Sequence, residues 1–349
     1  MSAESIDDLN RFTLQSKAVW HTDAQLQKIY NTVYDGFIPV EDVLSRLFHW
    51  EALEAEMIAR ATILSESGVE TIEMVDATRK IMMRPPGALG PDDPGGVLGV
   101  FKSGYQGHNY AEWLVRNVGT ILSDKLGVMA AGLLRQGAQA FVQVSVLDTI
   151  KMEEGIEFRP NLLAVTSFDG SLATTYKRTV TNVVCDNTMA IGLSEKGQDY
   201  KLKHTRYSNL KVMDARDALE INFETADDFS KKAKELCQTT VTDAQFQKFL
   251  DEIAPQVDEK GEAKTGRALT MADKKREEVS QLWNYDGRVS PWKNTAYGVV
   301  QAMNTHAHWI QTVRGSERDE RNMALSVSGG WDKIDSGTLE TLNGVLAAA

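Results

Sequence analysis

The stretch RPNLLAVTSFDGSLATTYKRTVTNVVC, Arg159 to Cys185, decides the fold: apolar and polar residues alternate on both sides of Asp169-Gly170. Glycine reaches the left-handed backbone conformations that a tight connection needs, so Asp-Gly between two period-two runs predicts a β-hairpin. AGLLRQGAQAFVQVSVLDTI, Ala131 to Ile150, repeats the pattern just upstream, with Gln136-Gly137 at its turn. Two adjacent hairpins predict the centre of one antiparallel sheet.

Working outward from this centre, Glu56 to Gln106 reads as short β-like runs, with Asp76-Ala77-Thr78 as a hairpin turn. PPGALGPDDPGG, Pro85 to Gly96, carries too much proline and glycine for an element interior and predicts an exposed loop. Helical spacing marks FIPVEDVLSRLFHW, Phe37 to Trp50, and HNYAEWLVRNVGTIL, His108 to Leu122, with Asn109 as the N-cap of the second. After Ser208 the chain turns helical: Asn209 to Gln238, then a helix opened by Thr242, then Thr270 to Leu282 and Asn294 to Thr312. The final residues from Gly330 on have no clear period. The expected class is α+β, a mainly antiparallel sheet of hairpins flanked by helices with a helical C-terminal third. The expected units are a mostly helical segment 1–55, a β core with one helix 56–207, a helical segment 208–257, a linker 258–268 and a helical region 269–349.

Composition narrows the function. With 42% hydrophobic and 25% charged residues the chain is expected to be globular. It holds no apolar run of membrane-spanning length, and MSAESIDDLNRF lacks a basic and then apolar leader, so neither a membrane span nor a secretory signal is expected. Two cysteines, Cys185 and Cys237, without CxxC spacing argue against disulfides and structural zinc and for a reducing cytoplasm. The net charge is -11, yet Thr175 to Arg216 holds eight basic and four acidic residues, +4, which leaves -15 elsewhere.

Cys185 in VVCDNT could be a nucleophile served by His204, but the end of a buried strand equally suits a cysteine packing as a small apolar group. On that second reading Asn187 and Thr188 cap a turn. The six histidines are scattered, and HExxH, GxGxxG and GxxxxGK[ST] are absent, so no metal and no nucleotide cofactor is expected. KGQDYKLKHTRYSNLK, Lys196 to Lys211, interleaves cations with aromatics. That pattern suits single-stranded nucleic acid, where cations follow phosphates and rings stack on bases; the plainer alternative is a solvated charged face.

RTVTNVVCDNTMAIGL followed by LKHT, Leu202 to Thr205, resembles the signature of the phage/plasmid-like proteins catalogued as domain of unknown function 932. AVWH at Ala18, VLGVFKSGYQGHNYAEWL from Val97 and NTAYGVVQAMNTHAHW from Asn294 agree with that family's other elements. The resemblance implies a phage or mobile-element source and no settled activity; the order of hairpins, helix and basic edge is more distantly similar to phage single-strand annealing proteins. The expectation is therefore a non-enzymatic single-stranded DNA-binding and annealing protein, cytoplasmic, acting as a homo-oligomer for which a ring is the common form. Lys177, Arg178, Lys201, Lys203 and Arg206 would meet phosphates, Tyr200 and Tyr207 would stack on bases, and His204 would hydrogen-bond. The alternative is a phage protein-interaction module, a host-takeover or anti-defence factor, with no nucleic-acid role.

Overall fold

The computed structural model of the chain describes residues 13–16, 33–65, 68–116, 119, 122–123, 125–182, 187–189, 200–202, 215–314 and 318–348. The two sequence-derived hairpins sit at its centre. β6 (Leu126–Leu134) and β7 (Gln139–Val146) turn through Arg135, Gln136 and Gly137, all with positive φ. β9 (Glu157–Ser167) and β10 (Thr174–Asn182) turn through Asp169 and Gly170, where Asp169 Oδ1 accepts the Ser171 N–H. With β1 (Thr13–Ser16), β2 (Val33–Tyr34), β8 (Ile150–Lys151), β11 (Asn187–Met189) and β12 (Tyr200–Leu202) they form a nine-stranded sheet in the order β11-β10-β9-β7-β6-β1-β2. β8 and β12 branch from β9 and β10, and every pairing is antiparallel except β1 with β2. The class is α+β.

A second sheet of three strands, β3 (Leu53–Ser65), β4 (Gly68–Arg84) and β5 (Gly96–Lys102), follows the short helix α1 (Val40–Arg46). Here the structure departs from the expected turn at Asp76-Ala77-Thr78. β4 continues through it for 17 residues as a bulge, with Asp76 to Arg79 standing opposite Met57 alone between the Glu56–Lys80 and Ile58–Val75 pairs; the Asp76 carboxylate accepts from Thr78 N–H and Oγ there, and the chain reverses near Gly68 instead. The Pro85–Gly96 loop is anchored as well as exposed. Arg84 and Asp93 form a bidentate ion pair with both side chains about 7% accessible, and the same guanidinium donates to the Gln136 carbonyl, fastening the small sheet to the β6–β7 turn.

The helices are α2 (Ala215–Gln238), α3 (Asp243–Ile253), α4 (Gly266–Tyr285), α5 (Ala296–Thr305), α6 (Arg318–Ser328) and α7 (Gly330–Ala347). Thr242 caps α3 with a full capping box, its hydroxyl accepting from Gln245 N–H while the Gln245 side chain accepts from Thr242 N–H. In the expected second helix Ala111–Arg116 form a π-helix, with Asn109 Oδ1 accepting from Glu112 N–H at its start. A second π-helix, His306–Ile310, continues α5. The expected linker is a folded connection: Val257 bridges Ala263, Asp258 Oδ1 accepts from Lys260 and Glu262 N–H, and α4 begins at Gly266. The described part of the N-terminal segment holds β1, β2, one helix and the start of β3.

Because strand side chains alternate, the large sheet has two faces. One carries Leu133, Val142, Ala164 and Tyr176 under Trp50, Phe48 and the first π-helix, and, farther along, Phe158 and Val180 against α2 to α5 and α7. The other carries Phe141, Leu163 and Val165 under Val327 and Met323 of α6. The C-terminal helices thus complete the core of the sheet.

Candidate functional site

β10 is the strand from which the predicted basic groove would be built. Its even-numbered residues lie on the face covered by the first π-helix at Tyr176 and by α2 at Arg178, and Lys177 on the opposite face reaches the turn into α7. Arg178 pairs with Asp228 of α2 at 3.5 Å, both side chains well shielded. Lys177, only 8% exposed, pairs with Asp332 of α7 at 3.2 Å and lies against Gly329 at the turn into that helix. Each cation ties the strand to a helix covering one of its faces. Neither is presented to solvent as a phosphate contact requires, which corrects the role expected of both. Burying a cation is tolerated only with a partner in place, and these two have one each.

Outside β10 the sheet edge consists of two three-residue strands laid end to end. β12 pairs with its first part, Thr174↔Leu202, Thr175↔Lys201 and Tyr176↔Tyr200. β11 pairs with its last part, Val180↔Met189, Thr181↔Thr188 and Asn182↔Asn187. Asn187 and Thr188, expected to cap a turn, are therefore strand residues. Lys201 takes the register position opposite Thr175, two residues along from Lys177. Lys203, His204, Arg206 and Tyr207, like Cys185, lie outside the described residues, and Tyr200 and Lys201 are placed by their backbone alone.

The clusters that the sequence did not flag are buried. At the first π-helix the His108 ring stacks on Trp113 with centroids 3.6 Å apart, and its Nδ1 lies 2.6 Å from Thr174 Oγ1, which in turn contacts Thr166 Oγ1. At the second, His308 stacks on Trp331 at 3.5 Å, with Arg321 over the other part of the indole system at 5.6 Å from the ring centroid. His308 Nδ1 donates to the Asn304 carbonyl, and Asn304 Nδ2 donates to buried Asp335 at 2.9 Å. Burial drives the His308 pKa down to about 3, so the ring is neutral and its proton sits on Nδ1. His306, also pushed down by burial although Glu278 at 3.0 Å opposes the shift, closes the same helical corner. A neutral, enclosed imidazole is a structural group here. The signal that could have found both sites is a histidine on an apolar helical stripe beside tryptophan.

Cysteine chemistry finds no support at Cys237. Its half-buried thiol is pushed up to about 11 by desolvation and by Glu154, which keeps it protonated at neutral pH. Among the described residues no three His, Cys, Asp or Glu side chains converge as a metal site, and no helix is long and apolar enough to cross a membrane.

No curated protein and no solved structure matches the chain. A family model described as a domain of unknown function, DUF932, matches residues 97–327. The matched region runs from β5 to α6. It takes in both central hairpins, β11 and β12, and both π-helices, and stops short of the α7 carboxylates that pair with Lys177 and Asn304. With well over half of its residues inside that match, the chain belongs to the DUF932 family.

Proposed function

We propose that the chain binds single-stranded DNA along the β12 edge of its large sheet and promotes annealing without catalysis, as a homo-oligomer of a bacteriophage or mobile element in the host cytoplasm. The observation that carries the reading is the register of β12 on β10. It sets Tyr200 and Lys201, two members of the basic, aromatic sequence Lys196–Lys211, on a strand that borders β10. Lys201, Lys203 and Arg206 would follow phosphates, Tyr200 and Tyr207 would stack on bases, and His204 would hydrogen-bond. Lys177 and Arg178 serve this edge indirectly, by holding β10 between its two covering helices.

The test is fluorescence anisotropy of a labelled single strand of ~40 nucleotides, long enough for several ~4–16 nucleotide sites. Wild type is compared with the Lys201/Lys203/Arg206→Ala variant over a salt series. Three lost phosphate contacts are expected to flatten the log-affinity salt slope by about 2, at roughly 0.7 per contact on a single strand. Absence of binding by wild type at low salt sinks the proposal.

A second reading, a protein-interaction module, is favoured by one observation. The β3–β4 ribbon exposes apolar side chains along its whole length, with Leu64 at 89% and Val69 at 70% exposure. A salt-insensitive complex with a protein, in the absence of DNA binding, would establish it instead.

A further inference from the structure

We propose that the β3–β4 ribbon is a dimerisation element, in which the free edge of β3 pairs antiparallel with the same edge of a second copy about a two-fold axis at Ala61. The ribbon lies outside the residues that match the family, and nothing in the proposed DNA contact involves it. Ile58–Ser65 of β3 pair with Gly68–Val75 of β4, while β5 joins β4 only from Arg79 to Arg84. Above that root the ribbon is two strands wide among the described residues. Every residue from Ile58 to Leu64 and from Gly68 to Val75 is exposed, including Ile58, Ile63, Leu64, Val69, Ile72, Met74 and Val75.

An isolated two-stranded ribbon is marginal in water, and an open edge is a row of N–H and C=O groups ready to pair. Proteins guard such edges with lysine, proline or an unpaired charge. Between Ile58 and Ser65 there is no lysine and no proline, and the one charge, Arg60, is held by Glu73 at 2.7 Å on the neighbouring strand. The register irregularity, where Asp76 to Arg79 of β4 bulge opposite Met57, sits at the root and leaves the outer stretch regular.

Charge selects both the occupant and the edge. From Leu53 to Lys80 the sequence holds six acidic and three basic residues, which disfavours a nucleic acid or an anionic membrane. β4 carries Glu70, Glu73 and Asp76 within seven residues, so two such strands set edge to edge would crowd carboxylates together. The β3 edge has no such conflict. A two-fold axis at Ala61 sets Ala61 against Ala61, Arg60 against Thr62, Ala59 against Ile63 and Ile58 against Leu64 of the second copy, with no like charges opposed and apolar side chains meeting on both faces. The seven paired residues give a ladder of about 24 Å, and a two-fold, self-complementary contact is the commonest way for identical chains to associate.

Ala61→Cys tests the axis directly. Cα atoms opposed across an antiparallel pair lie ~4.5–5.5 Å apart, within the span of a disulfide. Under mild oxidation Ala61→Cys is expected to form a covalent dimer on non-reducing gels. Thr71→Cys on β4, and wild type with only its native cysteines, are expected not to. In light scattering the Ile58→Asp/Leu64→Asp variant, altered only at exposed positions, is expected to show half the wild-type mass with an unchanged circular dichroism spectrum. A monomeric wild type overturns the proposal, as does an Ala61→Cys chain that cross-links no faster than Thr71→Cys. Larger species without the Ala61 cross-link overturn it too, because they signal head-to-tail pairing of β3 with β4. Loss of DNA binding in the Lys201/Lys203/Arg206→Ala variant leaves all of these readouts unmoved.

Discussion

In α5 every residue from Ala296 to Thr305 is buried, whereas in the ribbon every residue from Ile58 to Leu64 and from Gly68 to Val75 is exposed. Composition does not separate them: six of ten residues are apolar in α5, and nine of sixteen in Ile58–Ser65 with Gly68–Val75. Neighbours do. α5 is packed against α2, α4 and α7 and has no exposed face, so it is central to the helical layer. The ribbon has a partner strand on one edge of each strand and nothing described on either face. An apolar pattern reports what a segment can bury, and only the tertiary arrangement decides whether it does so within its own chain or leaves it for another.

The sharpest way to break the comparison is to spoil the packing of α5. A Cβ at Gly298 would collide with the Trp292 carbonyl, a backbone atom that cannot swing aside, and would press on the Trp283 ring. Gly298→Ala is expected to cost about 3 kcal/mol in urea unfolding. A variant as stable as wild type would mean that α5 is looser than its burial implies.

Next in size is a pH effect at the end of α5. His308 titrates near 3 when folded and near 6.5 when unfolded, so between those values the unfolded chain binds a proton that the native one refuses. The stability of a neutral His308 is whole above about pH 6.5 and is lost as pH falls towards 3, amounting to about 2 kcal/mol between pH 7 and pH 5. His308→Phe keeps a flat ring against Trp331 and is expected to flatten the stability-versus-pH curve by one proton in that window. His306, shifted in the same direction, leaves a residual slope. An unchanged curve would place the titration elsewhere.

The smallest effect sharpens the other side. Ile72→Thr and Met74→Thr, on the exposed ribbon, are expected to change the unfolding free energy of the monomeric Ile58→Asp/Leu64→Asp background by no more than about 0.5 kcal/mol. A larger loss would show that the chain itself covers the ribbon.

Particular residues show why some of this was legible and some was not. Asp169-Gly170 and Gln136-Gly137 announce the central hairpins because turn chemistry is local, and the Thr242–Gln245 box announces α3 for the same reason. Asp76-Ala77-Thr78 has the chemistry of a turn but spends it on a bulge within β4, so the local preference is met without reversing the chain. Lys177 and Arg178, alternating with threonines and a tyrosine, read as solvent-facing cations. Their carboxylates arrive 155 and 50 residues later, and no local pattern carries that information. The partners of His308 escape local reading for the same reason, since Trp331 and Arg321 come from helices beyond its own.

The pairing of Lys177 with Asp332 also sets an order of events during synthesis. β10 leaves the ribosome with its cation unmatched, and the carboxylate follows only after another 155 residues, in the last helix described. The central hairpins can form early, but the face they show to α6 and α7 stays open until those helices are made. A sheet that waits so long for its cover folds slowly and is most vulnerable to aggregation just before completion. A nascent chain halted before Gly330 therefore holds its hairpins but lacks the helix that closes them.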